Sequence, residues 1–258
     1  MQVTMNGRNA LITGGSLGIG RAIATRFVES GGNVAIVARR QAVLDEAKDE
    51  IQKAGGGKVV AIAADVGTAE GCQAAFDQAV ADLGQVDIVV NNAGTSRRGD
   101  FETITDEMWQ TDLDLKFFGA IRLARAALPG MKSRKWGRII NVLNTGAKAP
   151  PASGAPTAVT RAAGMALTKV LAGEGAAHNV LVNAVLVGRI ESDQWVQRAK
   201  QANKDVSEIY KEMSDVVPMG RIGTAEEFAN IVTMLASDQG SYVTGTAINI
   251  DGGMSPVV

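Results

Sequence analysis

The chain has 258 residues, 46% hydrophobic and 21% charged, with 26 Lys and Arg against 27 Asp and Glu and a formal net charge of -1. One Cys and one His exclude an internal disulfide, a Cys/His zinc site and any centre that needs two histidines, so no metal is expected, and the thiol usage fits a reducing cytoplasm. Balanced charge without a basic block gives no footprint for nucleic acid or an acidic membrane, and no apolar run reads as a signal or a bilayer span, so the default partner is a small molecule.

Short β-rich runs are predicted at Asn9 to Ile12, Asn33 to Ala38, Lys58 to Ala63, Val86 to Val90, Arg138 to Leu143, Val180 to Leu186 and Ala247 to Ile250, separated by longer helical stretches. Seven such runs in alternation imply an α/β fold. The expected architecture is a doubly wound parallel sheet of seven strands with helices on both faces, in a single domain over residues 1–258. The run Asp87-Ile-Val-Val lacks polar alternation, as a central strand covered on both faces requires. Ligand sites on such a sheet lie at the carboxyl ends of the strands.

The first strand runs into Thr13-Gly-Gly-Ser-Leu-Gly-Ile-Gly20 and then a helical stretch, Arg21 to Glu29. Glycines at a strand-to-helix turn let backbone approach a pyrophosphate where free N–H groups and the helix dipole favour an anion. Gly14, Ser16, Leu17, Gly18 and Ile19 are therefore candidate cofactor-binding residues, although a tight turn for helix packing has the same composition.

The second strand ends in Ala38-Arg39-Arg40, where an NAD-selective site places a carboxylate on the ribose hydroxyls, yet no Asp or Glu occurs between Gly31 and Leu44. Arg39 and Arg40 suit a 2′-phosphate, which favours NADP(H) over NAD(H); the alternative is two solvated surface charges. Cys72 near a helix start is read as incidental, although such a position can lower a thiol pKa. Asp65 and Val66 follow the third strand, and Asn91, Ala93 and Gly94 follow the fourth, with the small residues leaving room for a dinucleotide. Loops at 147–156 and 191–217 follow later strands and can overhang a site, whereas His178 is read as structural.

With Asn183-Ala-Val and Asp251-Gly-Gly near the C-terminus, these motifs resemble, in their order, the short-chain dehydrogenase/reductase superfamily over about residues 7 to 253. The resemblance implies a Rossmann-like domain, a nicotinamide cofactor, and hydride transfer to or from a carbonyl or alcohol carbon. It also implies a homo-tetramer or dimer formed through the helices around Phe117-Phe118 and Pro156 to Ala177, a substrate lid at about 191–217, and Ile190 and Ser192 on the nicotinamide carboxamide.

The family's proton donor is a Tyr in a Y-x-x-x-K segment, assisted by a Ser and an Asn. Here the aligned segment is Thr157-Ala-Val-Thr-Arg161, the Ser position is Asn144 and the Asn position is Lys116. The catalytic candidates are thus Lys116, Asn144, Thr157 and Arg161, in an atypical site. No alignment slip supplies a Tyr, since none occurs before residue 209. Thr157 lacks usable acidity and Arg161 stays protonated, which leaves Lys116 as the titratable candidate, its pKa lowered if it and Arg161 face one cleft. The competing use of Lys116 is an ion pair with Asp112 one turn earlier. Arg161 can still hold the nicotinamide ribose. The functions that follow are an NAD(P)(H)-dependent oxidoreductase with a non-standard proton relay or, alternatively, a non-redox lyase or isomerase, or a catalytically silent cofactor-binding member of the superfamily.

Overall fold

The computed structural model describes residues 2–258. Strands β1 (Asn9–Thr13), β2 (Asn33–Ala38), β3 (Val59–Ala63), β4 (Ile88–Asn91), β5 (Gly137–Asn144), β6 (Val180–Val187) and β7 (Ala247–Ile250) form one sheet in the order β3-β2-β1-β4-β5-β6-β7, with every pairing parallel. The spans match the expected runs to within one or two residues at each end. Successive side chains of a strand point to opposite faces, and both faces are dry. Ile12, Ile36 and Val90 join one apolar cluster, while Leu11, Val37 and Val89 join another.

Helices α1 (Gly18–Glu29), α2 (Gln41–Gln52), α3 (Ala69–Leu83), α4 (Asp106–Leu113), α5 (Gly119–Arg134), α6 (Thr157–Gly175), α7 (Asp193–Gln201), α8 (Val206–Ser214) and α9 (Ala225–Ala236) supply the cover. Phe27 of α1, Leu44 and Ile51 of α2, and Phe228 and Val232 of α9 fill the first cluster. Ala75 and Ala79 of α3, with Leu123 and Met131 of α5, fill the second. Local chemistry sets several helix starts: Thr68 accepts from the Gly71 N–H at α3, Asp205 from the Ser207 N–H at α8, and Thr224 with Glu227 forms a reciprocal capping box at α9. Among the described residues no helix is long and apolar enough to cross a membrane.

Strand order reverses between β1 and β4, and the loops leaving their carboxyl ends part there to open a cleft. Two features position what lies beneath it. A π-helical turn, Asp114–Phe118, joins α4 to α5 and carries Lys116 inward, where its side chain is completely enclosed. The polar helical stretch after β6 resolves into α7 and α8, and the Gln194 amide donates to the Gly94 carbonyl at 3.3 Å, linking α7 to the loop after β4.

Candidate active site

The cleft has a volume of about 1100 Å³ and reaches from the Gly-rich turn, past Arg39, Asp65 and Ala93, to Asn144, Thr157 and Arg189. Pockets for drug-sized ligands run to roughly 300–1,000 Å³, so there is room for a long cofactor and a small substrate together.

At one end lies the turn between β1 and α1. Gly14 and Gly18 have φ of +64° and +52°, a region that side chains with a Cβ rarely adopt, and a Cβ on Gly20 would be driven into the Gly14 carbonyl. The turn is held from the neighbouring strand. Asn92 Nδ2 donates to the carbonyls of Thr13 and Gly14 at 3.0 and 3.2 Å, and Thr13 Oγ1 accepts from the Asn92 and Ala93 N–H groups at 3.0 and 2.9 Å. No side chain caps α1, whose N-cap is Leu17, and its first turn carries no acidic residue. Its uncapped N–H groups and the dipole therefore face the cleft, with Asp193 of α7 the one carboxylate beside Gly18, and this arrangement fits the pyrophosphate of a dinucleotide.

Gly14, Ser16, Leu17, Gly18, Ile19, Arg39, Arg40, Asp65, Val66, Ala93, Gly94, Ile190 and Ser192 all line the cleft. Asn91 does not. Strand alternation turns it inward, where its amide donates to Asn141 Oδ1 at 2.8 Å, and Asn141 in turn donates to Thr168. The cleft-facing residue of the pair is Asn92. The space left by Gly94 is taken by the Arg161 guanidinium, into which a Cβ there would collide. Cys72 is buried, and that burial pushes its thiol pKa up rather than down. His178 is exposed in a turn ahead of β6, away from the cleft.

At the other end of the cleft, β5, α6 and the turn after α4 converge. Thr157 opens α6 and is buried; its Oγ1 accepts from the Arg97 N–H at 3.1 Å and from Lys116 Nζ at 2.7 Å. Lys116 is also ion-paired with Asp112, whose side chain is enclosed with it and whose Oδ2 meets no donor. Lys116 is absent from the cleft wall, and Thr157 is the cleft-lining residue that it hydrogen-bonds. Burial first, and then the nearby Arg161 cation, bring the Lys116 pKa from its ordinary 10.5 to about 8, against the opposing pull of Asp112. Arg161, held by a 2.7 Å hydrogen bond to the Val142 carbonyl, is lowered by burial to about 10 and remains a cation at neutral pH. Asn144 ends β5 on the cleft wall with a buried Oδ1 that has no partner.

A family model described as Enoyl-(Acyl carrier protein) reductase matches residues 14–255. The chain belongs to the short-chain dehydrogenase/reductase superfamily. Among relatives in this superfamily, Oxidoreductase UcpA of Salmonella typhimurium is 35% identical over 257 residues, covering 96% of this chain and 95% of that protein. The 3-oxoacyl-[acyl-carrier-protein] reductase FabG of Aquifex aeolicus is 32% identical over 254 residues, covering 98% and 100%. The crystal structure of L-sorbose reductase from Gluconobacter frateurii, complexed with NADPH and L-sorbose, superimposes with a TM-score of 0.96 at 35% identity over 100% of both chains.

Several elements of this short-chain dehydrogenase/reductase site do not stand out in the sequence. Asn92, rather than Asn91, faces the cleft, and only a firm strand boundary distinguishes the two. Arg97, Arg98 and Arg198 carry no motif signal; the adjacent Arg97-Arg98 pair is visible but has no recognisable partner along the chain.

Proposed function

We propose that this protein is an NAD(P)(H)-dependent oxidoreductase, preferring NADP(H), that moves hydride to or from a small carbonyl or alcohol substrate with a non-standard proton relay. The observation that carries the reading is the chain of contacts from Asp112 through Lys116 to the Thr157 hydroxyl, ending on the cleft. A bound nicotinamide supplies or accepts the hydride at the substrate carbon. The residues of the chain handle the proton. Thr157 Oγ1 accepts hydrogen bonds from Lys116 and the Arg97 N–H, and its own proton, directed at Asp112 Oδ1 across a long 3.5 Å, turns to a substrate oxygen when one occupies the cleft. As that proton leaves, the ammonium behind replaces it, so the hydroxyl never has to hold a full charge and the titrating group is Lys116, near 8. The unpartnered Asn144 Oδ1 on the cleft wall supports a hydrogen bond from a polar group of the substrate, and Arg161 on the same wall is read as holding the cofactor ribose.

NADP(H) preference is supported by Arg39 and Arg40, which are exposed on the cleft wall at the end of β2 with no carboxylate in that loop. The helices α7 and α8 fit the role of a substrate lid over 191–217, given the contact of Gln194 with Gly94. Assembly as a homo-tetramer or dimer is supported by exposed apolar residues on the turn before α5 and on α6, Phe118, Val159 and Val170.

Fluorescence titration with NADPH and NADH, followed by a screen of carbonyl compounds for NADPH oxidation, tests the reading. Tighter binding of NADPH and turnover of a carbonyl substrate are expected. Tight nucleotide binding with no turnover on any carbonyl would point to the silent cofactor-binding alternative.

A further inference from the structure

The substrate end of the cleft carries an excess of unpaired cations. Arg97, Arg98, Arg161, Arg189 and Arg198 all line it, and among the described residues none has a carboxylate oxygen within the 4.0 Å ion-pair limit. The carboxylates of the same cleft are engaged or lie elsewhere. Asp114 pairs with Arg122 at 3.2 Å, Asp65 accepts from the Gly67 N–H at 2.9 Å, and Asp193 stands beside Gly18 at the pyrophosphate end.

Three of these arginines converge on one place. The Arg198 guanidinium stacks over Trp195 at 4.7 Å, and that of Arg189 lies 5.9 Å from the same ring. Arg98 pairs by backbone with Pro156, next to Thr157, so the group approaches the reacting end of the cleft. Burial first, and then the nearby charges of Arg98 and Arg198, lower the Arg189 pKa, and Arg189 Nε is buried with no acceptor. A donor shut away from water without a partner is costly, and gathering three like charges adds to the cost. An anion seated between them relieves both.

We infer that Arg189, Arg198 and Arg98 form a subsite for a carboxylate or phosphate group, so that the substrate is an anionic carbonyl or hydroxy compound with its charged group a few bonds from the reacting carbon. This rests on the oxidoreductase reading for the carbonyl, and on the arginines alone for the anion. The planar fork of arginine suits either group, presenting two parallel N–H donors to two oxygens. The main competitor for these cations is the cofactor's own pyrophosphate, which the uncapped start of α1 is already disposed to hold.

The test uses the whole protein saturated with NADP+ and two matched pairs of probes, acetoacetate with methyl acetoacetate and dihydroxyacetone phosphate with dihydroxyacetone. Binding is read by calorimetry and by the shift in melting temperature, and turnover is followed separately with NADPH. At least one anionic probe is expected to bind about tenfold or more tighter than its neutral partner, and Arg189→Gln and Arg198→Gln are each expected to weaken the anionic probe about tenfold or more and so to remove that difference. The pair that responds identifies carboxylate or phosphate as the preferred group. Equal binding of charged and neutral partners, binding of none of the four, or unchanged affinity in Arg189→Gln overturns the subsite. So does exclusion of the anionic probes by NADP+ together with weaker NADP+ binding in Arg189→Gln, which assigns the cations to the cofactor. Anion-dependent binding with no NADPH oxidation keeps the subsite and removes the redox reading; oxidation of the neutral members alone does the reverse.

Discussion

The two ends of the cleft are built on different principles. Around β1, β4 and α1 the site is backbone: glycines with positive φ, free N–H groups at a helix start, and Asn92 clamping the turn through two carbonyls. Around β5, α6 and the π turn it is side chain and charge, with Lys116 buried against Asp112 and Thr157 and arginines gathered above them. Backbone recognition depends on local geometry, so it tolerates little change and leaves a plain mark in the sequence. Charge recognition depends on what else is nearby, and the same residues far apart in the chain mean little until they meet.

This difference predicts which variants alter affinity and which alter turnover. Thr157→Val removes the hydroxyl between Lys116 and the cleft at almost constant volume. Turnover is expected to fall about 10²- to 10⁴-fold, as for loss of general acid catalysis, with NADPH affinity unchanged by fluorescence titration. An equal loss of affinity would mean that the two ends are not separable. Lys116→Met is expected to lose turnover to a similar extent and also about 3–5 kcal/mol of stability in denaturant melts, because it strands the buried Asp112 carboxylate. Pairing it with Asp112→Leu should restore stability but not turnover, whereas a purely structural lysine would regain both.

Gly20→Ala is the mirror experiment. Its Cβ meets the Gly14 carbonyl, and about 1–3 kcal/mol of destabilisation with loss of NADPH binding is expected from melting and titration. Arg40→Asp has a smaller effect, expected to weaken NADPH about tenfold and to narrow or invert its advantage over NADH.

Acidity offers the mildest probe, because it needs no mutation. The proposed relay draws the proton for carbonyl reduction from Lys116 and therefore predicts a rate that declines as pH rises through about 8. Stability moves the other way. The unfolded chain keeps that proton up to about 10.5 while the folded chain releases it near 8, so unfolding takes up a proton between those values and this group's contribution to stability rises across the window. Denaturant melts at pH 7.5 to 10 check the sign, and Lys116→Met should flatten the slope.

Parallel strands buried on both faces read as continuous apolar runs, which is why β4 and the sheet class are legible in the amino-acid pattern alone. The Gly-rich turn is equally plain, as is the lack of any Tyr before Tyr210, on which the expectation of an atypical site rests. The choice between Asn91 and Asn92 is not legible there, because one residue of strand phase reverses which side chain faces the cleft. Gly94 reads as room for a ligand in the chain order, and only the packing of Arg161 against it reveals another use.

The sequence by itself determined what depends on neighbours along the chain: the order of strands and helices, the Gly-rich turn at Gly14 to Gly20, and the lack of any Tyr before Tyr210. Tertiary structure decided what depends on distance and dielectric. Lys116 hydrogen-bonds Thr157 rather than lining the cleft, its proton held near 8 by burial and Arg161, and arginines from three separate segments share a space without a carboxylate among them. Burial and charge act through space over several ångströms, and 41 residues of chain separate the lysine from the hydroxyl it touches.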